Sequence, residues 1–284
     1  MQFKKGDRVK HPRKPEWGVG KVLEDSTNEK VRVFFTGLGE TNLSLKHVSL
    51  IQVSGKEANH PSLDNLKETT RKKRKEYKSL ELLKGRFLSQ FPGGFSGTKY
   101  AEIERSYKVA AHEMLIDLLN KHNFEKLLSS GNYLEICKLA LQVANKTNLI
   151  FPNEKMDLKD GLKLPKQQKK FAESLYRLLY DESQLEERFN QFADCLLELG
   201  ASKWTIATYY LFIADPLNHM FLKPMVTQDA ADVCAFELNY RSDLNWLTYK
   251  RLLELSKYLM NSLTDLEPKD MIDIQSFIWC IAQD

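Results

Sequence analysis

From about Phe3 to Val53, apolar and polar residues alternate in short bursts: "DRVKH", "GVGKVLE", "KVRVFFT" and "ETNLSL". A period of two marks half-buried strands, and Pro15, Gly18, Gly20, Asn28, Gly37 and Gly39 supply the turns between them. About four or five strands this short bury a core only by closing on themselves, so a small β-barrel is expected over residues 1–54. Residues 55–79 then turn polar and carry a cationic block, Arg71 to Lys75, which reads as a basic linker. After residue 80 the period changes. Segments such as "YAEIERSYKVAAHEMLIDLLN", "QKKFAESLYRLLY", "KWTIATYYLFIA" and "DMIDIQSFIWCIA" repeat apolar residues at three- and four-residue spacing. About eight helices of this kind predict one all-α domain over 80–284 with no fixed-period repeat. The expected fold class is mostly α, with a small N-terminal β-barrel.

Composition changes this picture little. The chain is 42% apolar and 28% charged with a net charge of +4, an ordinary globular balance that neither demands nor excludes a nucleic acid. No apolar run approaches the roughly 20 residues that cross a bilayer. The opening "MQFKKGDRVKHP" lacks the apolar stretch of a signal peptide, so a cytoplasmic protein with no membrane contact is expected. Cys137, Cys195, Cys234 and Cys280 stand far apart among apolar residues, with no C-x-x-C pair. They read as buried thiols, with no metal and no cofactor expected.

The first fifth of the chain carries two motifs, G-D-R-V-x-H-P at Gly6 to Pro12 and W-G-x-G-x-V at Trp17 to Val22. In both it resembles the small SH3/Tudor-like barrel that ends UvrD- and PcrA-type helicases and, more distantly, the polymerase-binding barrel of CarD. That resemblance implies a protein partner, such as RNA polymerase or a helicase, or a nucleic acid backbone. Lys10, Arg13 and Lys14 lie in its most cationic stretch and are candidate phosphate contacts.

A second stretch concerns the helices. "LELGASKWTIATYYLFIADP" ends one helix, turns through small residues and opens an apolar helix, a helix-hairpin-helix layout. Free amides at the head of the second helix point outward, where a phosphate can accept from them. With the following "FLKPMVTQDAADVCAFEL", "YKRLLELSKYL" and "IQSFIWCIA", this stretch resembles the core of the helix-hairpin-helix DNA glycosylases of the alkyladenine type. Gly200 stands at the first hairpin glycine of that family, Lys203 at its basic position, and Trp204 and Thr205 at the next two. Ser202 replaces the second glycine, and Lys223 and Pro224 stand where the family's catalytic aspartate opens the next helix. By this resemblance Gly200, Ala201, Ser202, Lys203, Trp204 and Thr205 would contact duplex DNA.

Cleaving an N-glycosidic bond requires a carboxylate to stabilise positive charge on the sugar, or an amine to attack its C1′. Asp229 is the carboxylate candidate and Lys223 the candidate amine or phosphate contact; Asp215, just before Pro216, reads as a turn residue. The flipped base needs flat walls and polar edges. Tyr240, Asn245, Trp246 and Tyr249 are the candidate pocket, with buried aromatics that satisfy one another as the alternative. The leading expectation is an enzyme that excises a damaged or modified base. The displaced aspartate leaves room for a bulky modified pyrimidine of phage DNA, and with it an anti-phage role. Two alternatives stand beside it: a DNA-binding protein without catalysis, and an adaptor that reaches a polymerase or helicase through the barrel.

Overall fold

A computed structural model describes residues 2–27, 29–66 and 75–283. Five antiparallel strands come first: β1 (Arg8–Lys10), β2 (Val19–Val22), β3 (Lys30–Phe35), β4 (Gly39–Ser44) and β5 (Ile51–Val53). They pair in the order β4-β3-β2-β1-β5. Along β3 the alternation sends Val31, Val33 and Phe35 to one face, where they meet Phe3, Val9, Val22 and Leu50.

Phe34 breaks the pattern. It points to the other face and is covered there by Leu63, Leu66 and Tyr77, whose ring lies 4.7 Å away edge-on. The expected closed barrel is therefore corrected to an open sheet. Among the described residues β4 and β5 do not pair, and the outer apolar surface is covered by the chain that follows. The turn between β3 and β4 locks onto the second motif: Gly37 donates its N–H to the Trp17 carbonyl at 3.0 Å. A Cβ at Gly37 would stand 2.2 Å from the Glu16 carbonyl oxygen, so only glycine fits there.

The chain divides into two units. The first comprises residues 1–90, 228–238 and 280–284, the second 91–227 and 239–279. The first holds the sheet, α1 (Pro61–Asp64) and α2 (Leu80–Gln90), so α2 falls with the sheet rather than with the helical domain expected from residue 80. Of the cationic block, Arg71 to Arg74 lie outside the described residues.

The second unit is helical. It contains α3 (Thr98–Tyr100), which runs through a π-turn at Ala101–Arg105 into α4 (Ser106–Leu119), then α5 (Lys121–Ser129) and α6 (Tyr133–Asn145). There follow α7 (Pro152–Gly161), α8 (Pro165–Tyr180), α9 (Leu185–Glu198), α10 (Trp204–Ala214) and α12 (Trp246–Ser262). Helices α11 (Pro224–Val233) and α13 (Met271–Ala282) begin in this unit. The protein is thus mostly helical with a small N-terminal antiparallel sheet, and no described helix is long and apolar enough to cross a membrane.

Helix α10 is apolar on every side, and a helix of that kind belongs in a core. Its residues from Trp204 to Ile213 are all buried, against α4, α8 and α9. Its hydroxyls still find acceptors: Tyr209 donates to the Val143 carbonyl at 2.8 Å and Tyr210 to that of Ala140 at 3.2 Å.

A second buried feature pins α4 to the head of α13. Arg105 at the end of the π-turn grips Asp270 through two nitrogens, at 2.9 and 2.6 Å, and reaches Asp273 at 2.6 Å. Tyr100 donates to the same Asp273 at 2.5 Å. One turn on, Lys108 is wholly buried and donates to Glu104 at 3.0 Å and to Ser276 at 2.8 Å. Asp270 also caps α13, accepting from the Ile272 N–H at 2.9 Å, the role its place before the helix predicts.

Candidate nucleic-acid interface

Helix α9 ends on Gly200, whose φ of +69° is the left-handed conformation that closes a helix. Its N–H meets the Leu197 carbonyl at 3.1 Å, and the Ala201 N–H meets that of Leu196 at 2.9 Å. Beyond the missing Cβ of Gly200 lies open space, so the glycine is needed for its backbone angle. Lys203 takes the N-cap position of α10 with extended backbone and no side-chain cap.

The six hairpin residues do not share one surface. Gly200 is exposed, and Ser202 and Lys203 are half-buried. Ala201, Trp204 and Thr205 are buried and cannot offer their side chains to DNA. Trp204 donates its indole N–H inward to the Arg241 carbonyl at 2.9 Å. Thr205 donates its hydroxyl to the carboxylate of Glu154 at 2.7 Å. A carboxylate therefore already faces the positive end of α10 and opposes an incoming phosphate there. Lys203 is drawn toward a second acid, Asp157, at 4.0 Å. These contacts correct the expectation of a bare, cationic helix head.

Both acids lie on α7, a helix the apolar pattern did not reveal. Its start was written in the sequence all the same: Pro152 sits in the first turn, and Glu154 reaches back to the Phe151 N–H at 3.2 Å. The far end of α7 seats against the hairpin, where a Cβ on Gly161 would stand 2.4 Å from the Leu199 carbonyl oxygen. Residues 152–170 carry six lysines and three acids, so this corner adds net positive charge beside the turn. Lys163 pairs with Asp160 at 2.9 Å, Lys169 with Glu173 at 3.8 Å and Lys170 with Glu198 at 2.5 Å. Exposed pairs of this kind are worth about 1 kcal/mol or less and open readily for a polyanion. Lys159 and Lys166 are exposed and make no ion pair among the described residues.

The two catalytic candidates lie in different units. Asp229 belongs to the first, where its carboxylate pairs with Lys75 at 3.7 Å. Lys223 belongs to the second. Its backbone N–H donates to Thr227 at 3.1 Å, and its ammonium rests 4.5 Å from the centre of the Phe151 ring. Asp215 caps its own turn, accepting from the Leu217 N–H at 3.2 Å and the Asn218 amide at 2.9 Å.

The expected base pocket is filled. Phe189 of α9 lies between Trp204, stacked at 6.1 Å, and Tyr249, stacked at 4.9 Å, and Trp246 leans on the same ring at 6.1 Å. Tyr240 joins from the side, 6.4 Å from Trp204. Asn245 spends its side-chain oxygen on the Thr248 N–H at 2.9 Å, as the N-cap of α12. Tyr240, Asn245, Trp246 and Tyr249 thus form a packed cluster, the alternative that their composition allowed.

In the first unit Lys10 pairs with Glu57 at 3.0 Å and Lys14 with Glu16 at 3.6 Å, while Arg13 lies exposed between them in the β1–β2 loop. The four cysteines are buried and form no disulfide among the described residues. Burial pushes the thiols of Cys137 and Cys234 up to about 12 and that of Cys195 to about 11, so they stay protonated and inert.

Residues 3–53 match the model of a family described as a protein of unknown function (DUF3553). No curated protein and no solved structure matches the chain.

Proposed function

We propose that this protein binds DNA through its helical unit, with the α7–α8 lysines on the phosphate backbone and the turn at 199–203 beside them. One observation carries the reading: a cationic segment, whose Lys159 and Lys166 make no ion pair among the described residues, is seated against a hairpin turn, through Gly161 on Leu199. Phosphate contacts of this kind release counterions, so affinity for a duplex should fall steeply with salt. The test is the double variant Lys159→Glu, Lys166→Glu. It should bind duplex DNA more weakly at every salt concentration and flatten the log–log salt slope by about 2, roughly one per lysine. A slope unchanged by the double reversal removes these lysines from the interface.

Base excision is a second reading, favoured by the Lys223 ammonium, which meets an aromatic ring and no carboxylate among the described residues. In that reading Lys223, having given up a proton, attacks C1′ as the neutral amine and the base departs with a proton; the C1′–O4′ bond then opens, O4′ takes a proton, and the resulting Schiff base is reduced by borohydride to a stable adduct. Protein–DNA adducts on duplexes with modified bases, lost in Lys223→Gln, would support it. Their absence with every such substrate leaves a binding protein. The first unit adds a contact for a polymerase, a helicase or a DNA backbone, a reading supported by its SH3/Tudor-like motifs and by exposed Arg13.

A further inference from the structure

Phe151 is held rigidly and yet left open. It precedes Pro152, whose ring fixes the first turn of α7, and its N–H is tied down by Glu154. The residue is nevertheless 45% exposed. Met156 on α7 is 63% exposed and Met225, two residues beyond Lys223, is 77% exposed. A phenylalanine pinned in place and left half exposed gains little for the fold. Its position is specific as well, since Glu154 also receives the Thr205 hydroxyl at 2.7 Å and so ties this ring to the hairpin.

Lys223 completes the arrangement. The ammonium stands over the Phe151 ring at 4.5 Å and has no carboxylate or carbonyl acceptor among the described residues. A cation–π contact between two only partly buried side chains is weak and rearranges readily. The pair therefore offers a flat apolar ring and, with it, a cation that no carboxylate neutralises among the described residues. That combination suits one nucleotide of a single strand. The base stacks on the ring, as any base can, and its phosphate meets the ammonium.

We infer that Phe151 and Lys223 form a stacking site for an unpaired base of single-stranded DNA, at the margin of the lysine-rich corner. The inference rests on the DNA-binding reading above and adds a preference for unpaired over paired bases. The six lysines against three acids in residues 152–170 supply the charge complementarity for the strand on either side of the stacked nucleotide.

The test compares three labelled probes by fluorescence anisotropy with the full chain: an oligothymidine of about 20 nucleotides, an abasic strand of equal length, and a duplex. Phe151→Ala should weaken oligothymidine binding by roughly 5- to 100-fold and leave the abasic strand and the duplex within about twofold. Phe151→Trp should restore binding, whereas Phe151→Leu, apolar without a stacking face, should behave like the alanine variant. Lys223→Gln should weaken both single strands and lower their salt slope by about 1. A leucine variant equal to the wild type, or an alanine variant weakened on all three probes alike, overturns the stacking site. If the wild type binds all three and Phe151→Ala changes nothing, the stacking site falls and the DNA-binding reading stands. If the wild type binds none of them, both fall.

Discussion

Two of the places where cations and acids meet in the helical unit have opposite consequences. Around the π-turn, Arg105, Lys108, Glu104, Asp270 and Asp273 are buried or nearly so, and their partners are fixed at 2.6 to 3.0 Å. Along α7 and α8 the same residue types lie exposed in loose pairs, with Lys159 and Lys166 left over. Burial is the difference. A buried charge that loses its partner keeps its desolvation cost, whereas an exposed one is re-solvated by water. The first group is therefore bound to the fold and unavailable to a ligand, while the second contributes little to the fold and is open to one.

The largest expected effect breaks the buried group. Arg105→Ala leaves Asp270 and Asp273 facing each other beside Tyr100 with no cation between them, and should cost about 3–5 kcal/mol. In a domain of this size that corresponds to a fall in melting temperature of roughly 6 to 20 °C. Reversing Lys159 and Lys166 together should stay within about 0.5 kcal/mol for each substitution, measured by the same thermal melts. Similar losses from both changes would erase the contrast between the two regions.

A smaller effect sharpens the contrast through pH. Burial pulls the Lys108 pKa from 10.5 down to about 8, against the opposing pull of Glu104. Between about 8 and 10.5 the unfolded chain thus binds more protons at this position than the folded one, and its contribution to stability rises with pH across that window. Below the window the cost of a buried ammonium is present in full. Lys108→Met, which removes the titrating group and keeps an apolar stem, should lose that rise relative to the wild type in urea melts at pH 8 and pH 10. Parallel pH profiles for the two proteins would mean that Lys108 titrates at its ordinary value.

How far these regions could be read in advance depends on how far apart their contacts lie in the chain. The strands of the first unit were plain from alternation, whereas the cover over Phe34 was not: a closed barrel was expected, and Leu63, Leu66 and Tyr77 lie about 30 to 40 residues further along the chain. The burial of α10 was plain from "WTIATYYLFIA", whose apolar residues leave no polar side. Helix α7 was not, because in "PNEKMDLKDG" only Leu158 and Gly161 are buried and no apolar stripe forms. Its Pro152 and Glu154 were the usable signal. The aromatic cluster needed Phe189 to meet Trp204 and Tyr249, contacts spanning tens of residues that no local pattern encodes. The resemblance of the hairpin to a DNA-gripping turn rested on local order alone, and the acids that face it come from α7.

The smallest predicted effect decides what that turn is for. Gly200 adopts φ +69° with open space where a Cβ would go. Gly200→Ala should therefore cost about 1 kcal/mol in stability, from the left-handed backbone alone. If the backbone had to approach a phosphate closely, the added methyl would also stand in the way, and duplex affinity would fall well beyond any loss of folded protein. With Glu154 already at the head of α10 and the lysines of α7 and α8 doing the binding, affinity per folded molecule should stay within about twofold of the wild type. A tenfold loss of affinity without unfolding would return the phosphate to the turn, and would shift the interface from the lysine corner to the amides beside Gly200.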